Sequence, residues 1–249
     1  MSGHPDSTAH LRELIAEASN MVVLTGAGIS TESGVPDFRS PGGLWEKFRI
    51  VEYGEYLQSE EARIEDWHRR FYMKDQIGAV EPNIGHSKIA KWMTAGKCAC
   101  LITQNVDGLH QRGGADPDKI IEIHGNATTA SCIDCGQNHS MDSCRDQFEA
   151  SGKSPTCSQC NGIIKADVVM FGQRMPEDKT ARAFEITLSA DLFLAIGTSL
   201  VVQPAALLPV QAKRNGAKLA IINRDATPLD HHADCVVNNE IGEVMALLA

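Results

Sequence analysis

The stretch MVVLTGAGISTESGVPDFRS, Met21 to Ser40, runs a short apolar strand straight into Gly26-Ala27-Gly28. A strand, a tight glycine turn and a helix N-terminus are how a dinucleotide-binding fold begins. The third glycine of the Gly-x-Gly-x-x-Gly fingerprint belongs at position 31, where this chain has Thr31. Pro36-Asp37-Phe38-Arg39 then follows in place of a long clean helix. The turn can still aim backbone N–H groups at a pyrophosphate. Its sequel needs another explanation.

Outward from this stretch, strand and helix patterns alternate on both sides of an irregular middle. Residues 8–19 put Leu11, Leu14, Ile15 and Ala18 on one helical face. Strands are predicted at Met21–Leu24, Cys98–Thr103, Ile120–Ile123, Asp167–Phe171, Leu192–Ile196, Lys218–Ile222 and Cys235–Val237. Ile89, Trp92 and Met93 mark a helix that Gly96 terminates. Pro176 starts another, with Glu177 and Asp178 at its positive dipole end, and a third begins near Pro204. Strands separated by helices imply an α/β fold: a Rossmann-like parallel sheet with helices on both faces. Segments 35–84 and 127–165 break the rhythm. They are read as insertions, a helical insertion and a zinc-binding module, that together form a smaller domain. The Rossmann-like domain then comprises 1–34, 85–126 and 166–249.

The 249 residues carry 23 Lys plus Arg against 32 Asp plus Glu, a net charge of −9. Such an acidic chain lacks the electrostatic footprint of a nucleic-acid binder. No signal peptide is visible in residues 1–10, and no apolar run reaches the roughly 20 residues that span a bilayer. A cytoplasmic protein without membrane partners is expected. Eight cysteines are present. Four form Cys132-x-x-Cys135 and Cys157-x-x-Cys160, two knuckles that can present four thiolates to one tetrahedral zinc. A redox pair or an iron site is the alternative. A closed four-sulfur site makes the metal structural. His139 and Cys144 lie between the knuckles as competing ligands, while Cys98, Cys100 and Cys235 read as buried inert thiols.

In a parallel sheet, ligands bind beyond the carboxyl ends of the strands. Five strand ends carry glycines or hydrogen-bonding side chains: Gly26–Ser30, Gln104–His110, His124-Gly125, Gly197-Thr198-Ser199 and Asn223-Arg224-Asp225. Together they predict a cofactor cleft. These turns, with Gly34–Arg39, Thr103-Gln104-Asn105-Val106-Asp107-Gly108-Leu109-His110, Ile123-His124-Gly125, the two cysteine knuckles and Phe171-Gly172, resemble the sirtuins in kind and order. Sirtuins are NAD-dependent protein lysine deacylases, and the likeness covers about Ala16 to Leu248.

That resemblance implies roles. A sirtuin consumes NAD by breaking the bond between nicotinamide and ribose. Gly26, Ala27 and Gly28 are then the pyrophosphate turn, Phe38 shields the anomeric carbon from water, and Arg39 beside Asp37 meets phosphate. Asn105 and Asp107 orient the ribose and the nicotinamide amide, with Ser30, Gln104 and Val106 in the same pocket. Gly197, Thr198 and Arg224 belong to the cofactor set, Ser199 and Asn223 hold the adenosine ribose, and Ile241 meets adenine. The acyl oxygen of the substrate attacks the ribose carbon, and His124 is the general base that deprotonates a ribose hydroxyl. His86, His110, His231 and His232 carry no comparable signal. An acyl-lysine protein or peptide is the partner, paired as an added strand. Val169 offers its carbonyl to it, Phe171 walls the acyl-lysine tunnel, and Gly172 follows.

The chain departs from the family pattern in three places. Gln173 replaces a common Glu, and Lys165-Ala166 replaces Arg-Pro. Sirtuins that prefer succinyl carry Tyr-x-x-Arg in the helical insertion. Here Tyr72 is kept and Asp75 stands for the arginine, so acetyl or other uncharged acyl groups are expected to be preferred. An NAD hydrolase or mono-ADP-ribosyltransferase on the same scaffold is the rival enzyme. A silent NAD- or zinc-dependent interaction protein is the rival from another class.

Overall fold

The computed structural model describes residues 5–36 and 47–248, so Asp37, Phe38 and Arg39 lie outside the described residues. Six parallel strands make the larger sheet, in the order β3-β2-β1-β7-β8-β9. They are β1 Met21–Thr25, β2 Cys98–Thr103, β3 Ile120–Glu122, β7 Leu192–Ile196, β8 Lys218–Ile222 and β9 Cys235–Val237. β1 lies at the centre, paired with β2 on one side and β7 on the other, and all five of its residues are buried. Its alternate side chains enter two different cores. Met21 and Val23 join helices Pro5–Glu17, Ile84–Thr94 and Ile241–Leu247, while Val22 and Leu24 join the side of Ala183, Leu208 and Ala212. A strand covered on both faces has no reason to alternate, which is why Met21–Leu24 is apolar throughout.

A second, antiparallel sheet has the order β5-β4-β6, built from β4 Gly125–Cys132, β5 Asn138–Ser140 and β6 Ile164–Val168. It packs on Trp67 and Phe71 of helix Glu60–Gly78 and on Met141, Cys144 and Phe148 of helix Met141–Ser151. Ser59 and Ser140 cap these two helices, accepting from Ala62 N and Ser143 N. The register of β4 on β6 jumps: Gly125 faces Val168, yet Ala130 faces Ala166. Four residues of β4 therefore oppose Asp167 alone, a wide bulge at the junction of the two sheets.

One strand differs from expectation. The apolar run Asp167–Phe171 is not a strand through its length; β6 starts earlier, at Ile164, and stops at Val168. Met170 and Gln173 close a turn, Gln173 N donating to Met170 O at 3.0 Å, with Gly172 at φ +77°. Pairing with β4 overrode the local apolar pattern. Near Pro204 a single 3-10 turn, Ala205–Leu207, precedes helix Leu208–Arg214.

Candidate functional site

The sheet order reverses between β1 and β7, and the loops following those two strands cross there. Gly28 N donates to Gly197 O at 2.8 Å. A Cβ on Gly26 would lie 2.8 Å from Gly197 O, and one on Gly28 would lie 2.9 Å from the Gly197 Cα. This backbone-on-backbone crossing admits no side chain, so the first two fingerprint glycines serve the switch point where α/β sheets bind ligands. Ala27 opens the 3-10 helix Ala27–Ser33, which ends at Gly34 in the left-handed region. Thr31 sits within it and donates from Oγ1 to Gly28 O at 2.9 Å. The missing third glycine thus falls where a short 3-10 helix stands in place of a long α-helix.

Beneath the crossing lies a buried polar network. Ser30 Oγ donates to Asp107 Oδ2 at 2.7 Å and accepts from Asn105 Nδ2 at 3.2 Å. Asn105 N donates to Thr103 Oγ1, and Leu109 N to Asp107 Oδ1. The predicted ribose and nicotinamide residues are therefore one hydrogen-bonded unit. Two histidines that the sequence left unassigned complete it. His86 Nε2 lies 3.3 Å from Ser30 Oγ, and Asn83 N donates to its Nδ1. His110 Nε2 lies 2.9 Å from Thr25 Oγ1, while its Nδ1 has no hydrogen-bond partner among the described residues. The two rings are 4.8 Å apart. Burial pushes His86 down to about 4, against the pull of Asp107, and His110 down to about 3, with His86 adding to the effect. Both are neutral at pH 7. The Asn83-x-x-His86 box at the start of helix Ile84–Thr94 was the available signal.

His124 stands between β3 and β4. Its Nδ1 lies 3.2 Å from Gln104 O, and burial lowers its pKa, with the Gln104 carbonyl acting in the opposite direction. A carbonyl accepts only, so Nδ1 carries the proton and Nε2 keeps its lone pair. Gln104 is itself held by both neighbouring loops: its N donates to Thr25 O, and its Nε2 to Thr198 Oγ1 at 2.9 Å. Gly125 follows with φ +80°, and a Cβ there would overlap the Asp167 carbonyl oxygen. Val106 O accepts from Ala127 N, tying the Gln104–Asp107 loop to β4.

The other predicted residues surround this centre. Ile241 packs against Gly197. Ser199 follows Thr198 on the exposed side of its loop. Asn223 and Arg224 follow β8 and engage Asp225, at 2.7 and 3.3 Å. Val169 N donates to His124 O at 2.9 Å, Phe171 is 48% exposed, and Phe171 O accepts from Tyr53 N. Gln173 Oε1 accepts from Met170 N, holding the turn that includes Gly172. Asp75 does not stand as an unpaired carboxylate: Arg145 of helix Met141–Ser151 meets it at 2.8 Å. Lys74 pairs with Asp142.

The four knuckle sulfurs all lie within 4.8 Å of one another. Cys132 and Cys160 are 3.5 Å apart, and Cys135 and Cys157 are 3.6 Å apart. Zinc–sulfur bonds of about 2.3 Å in a tetrahedron separate the sulfurs by roughly 3.8 Å. The cluster fits one zinc ion. Cys144 is instead fully buried among Trp67, Phe71 and Phe148.

A model of the Sir2 family matches residues 26–204. The chain is 48% identical to an NAD-dependent protein deacetylase of Rhodopseudomonas palustris, over 94% of this chain and 93% of that one. Identity to NAD-dependent protein deacetylase 1 of Bradyrhizobium diazoefficiens is 47%, over 94% and 92%. A solved Sir2 protein with a p53 peptide and NAD+ superposes with TM-score 0.87 and 34% identity, covering 95% of each chain. One bound to a propionylated peptide gives TM-score 0.87 at 33% identity, covering 96% and 95%.

Proposed function

This chain belongs to the Sir2 family, and we propose from that premise how its own residues remove an acyl group from lysine. It is an NAD-dependent protein deacetylase: NAD and acyl-lysine go to nicotinamide, O-acyl-ADP-ribose and lysine. NAD supplies the electrophilic ribose carbon. The Gly26–Gly28 turn holds the pyrophosphate, and Ser30, Asn105 and Asp107 orient the nicotinamide end. Asp37, Phe38 and Arg39 complete the cofactor set from outside the described residues. Ser199, Asn223, Arg224 and Ile241 serve the adenosine side. His124 takes the proton of a ribose hydroxyl at Nε2. The observation that carries this reading is the position of Gln104. Its side chain reaches the Thr198 loop and its carbonyl fixes the His124 ring, so one residue joins cofactor turn and base.

Val169, Phe171 and Gly172 form the edge and wall for the peptide, on the same reading. The division into a Rossmann-like domain of 1–34, 85–126 and 166–249 and a small domain of 35–84 and 127–165 belongs to the same proposal. Cys132, Cys135, Cys157 and Cys160 hold the zinc. Eight free cysteines, four of them gathered at a metal site, support a reducing cytoplasmic setting. No helix among the described residues is long and apolar enough to cross a membrane.

The preference for uncharged acyl groups now rests on the missing guanidinium alone, since Arg145 neutralises Asp75. Lys47 Nζ stands 5.9 Å from the Tyr72 ring centroid, but an ammonium lacks the planar fork that grips a carboxylate. The test is one peptide carrying acetyl-lysine or succinyl-lysine, incubated with NAD while nicotinamide and acyl-ADP-ribose are measured. Equal amounts of nicotinamide and O-acetyl-ADP-ribose, with slower desuccinylation, are expected. Free ADP-ribose in place of the acyl product would make the chain a hydrolase, and equal desuccinylation would end the acyl preference.

A further inference from the structure

Lys165 is a charged residue inside a strand, only 8% exposed. A buried ammonium needs acceptors. Lys165 finds two in its own strand: Nζ donates to Ala166 O at 2.7 Å and to Val168 O at 2.9 Å. This is the stretch where β4 bulges away and Asp167 alone faces four residues of β4. Tyr56 anchors the preceding residue, its hydroxyl donating to Ile164 O at 2.6 Å.

The peptide group between Val168 and Val169 is therefore held at both ends. Its carbonyl accepts from Lys165, and its N–H donates to His124 O at 2.9 Å. A charged donor on the carbonyl polarises the group and strengthens the bond its N–H makes. That plane leads directly into Val169, so holding it leaves only the two Val169 torsions to set the direction of the next carbonyl. We propose that Lys165 is a positioning residue for substrate peptide, setting the Val168–Val169 plane so that the Val169 carbonyl faces an incoming acyl-lysine strand. The inference rests on Val169 being the peptide edge, as proposed above. Burial and the nearby Arg70 hold the Lys165 ammonium down to about 8, with Asp167 and Asp66 opposing them, so it remains charged at pH 7.

The test compares wild type, K165M and K165R in steady state with acetyl-peptide and NAD. K165M should raise the peptide KM by at least about tenfold, the low end for a charged hydrogen bond. The KM for NAD and the zinc content should stay as in wild type, and K165R should restore the peptide KM. An unchanged peptide KM in K165M overturns the proposal, as does an equal rise in both KM values. If K165M does not fold, K165R decides alone: wild-type peptide KM supports the role, and a tenfold rise overturns it. A peptide N-methylated at the acyl-lysine amide separates the two readings. Should wild type bind it as well as the unmethylated peptide, the Val169 edge itself is wrong, whatever K165M does.

Discussion

The ring of His124 and the main chain of Gln104 meet at 3.2 Å, Nδ1 to carbonyl oxygen, and this one contact determines which nitrogen of His124 is basic. Replacing His124 by Ala removes the base but touches neither the glycine crossing nor the Ser30 network. Deacetylation should fall by about 10²–10⁴-fold, with NAD binding and melting temperature kept near wild type. Burial lowers the pKa of His124, so the neutral form persists below the ordinary histidine value of about 6.5. The acid limb of kcat/KM should lie on that lower side. A limb above it, or near-normal turnover of the variant, would remove His124 from the role.

Gly125 to Ala tests the turn beside the base. The added methyl meets the Asp167 carbonyl at a left-handed backbone position. The strain alone costs about 1–2 kcal/mol, and relieving the overlap must shift β4 from β6. A lower Tm and a loss of kcat larger than any change in NAD affinity are expected. An alanine variant with wild-type kcat would show that this backbone can yield harmlessly.

Metal analysis should find one zinc per chain in wild type and in Cys144→Ser. Loss of zinc and of stability is expected for serine at Cys132, Cys135, Cys157 or Cys160, because structural zinc contributes folding energy directly. Cys144→Ser should still lower stability by about 1–3 kcal/mol, the cost of taking a more polar hydroxyl into an apolar core. Its losing the metal would overturn the four-sulfur assignment.

Acid stability follows from His86 and His110. Their folded pKa values, about 4 and about 3, lie below the unfolded value. Between about 6.5 and those values the unfolded chain binds the extra protons. Stability present above pH 6.5 is therefore lost as pH falls toward 4 and then 3. Each histidine adds a slope of about 1.4 kcal/mol per pH unit in its window. Urea unfolding from pH 7.5 to 4.5 checks this. His110→Gln should flatten the curve relative to wild type, and an unchanged slope would mean that the two rings are not held neutral.

Much of this architecture was legible in the residues. β2, β7, β8 and β9 have the predicted bounds because each is a short apolar run whose end is marked by a polar or glycine turn. The cysteine knuckles were legible because their spacing is local. What escaped depends on contacts between distant parts of the chain. β6 is aligned by pairing with β4, so Lys165 enters a strand that its own charge argues against. His86 and His110 become a unit only where helix Ile84–Thr94 meets the short helix Leu109–Arg112 that follows β2. Asp75 and Arg145 are seventy positions apart in sequence and 2.8 Å apart in space.

β4 begins beside His124 and ends at Cys132, so a single continuous strand joins the base to a metal ligand. Its two ends pair with Val168 and Ile164, only four residues apart on β6, so the bulged strand spans roughly 13 Å and tethers the two sites through backbone rather than a relay of side chains. A chain lacking its zinc loses the far anchor of that strand and should lose activity with it. Active-site concentration is then set by bound metal, and rates normalised to absorbance will scatter between preparations that agree when normalised to zinc.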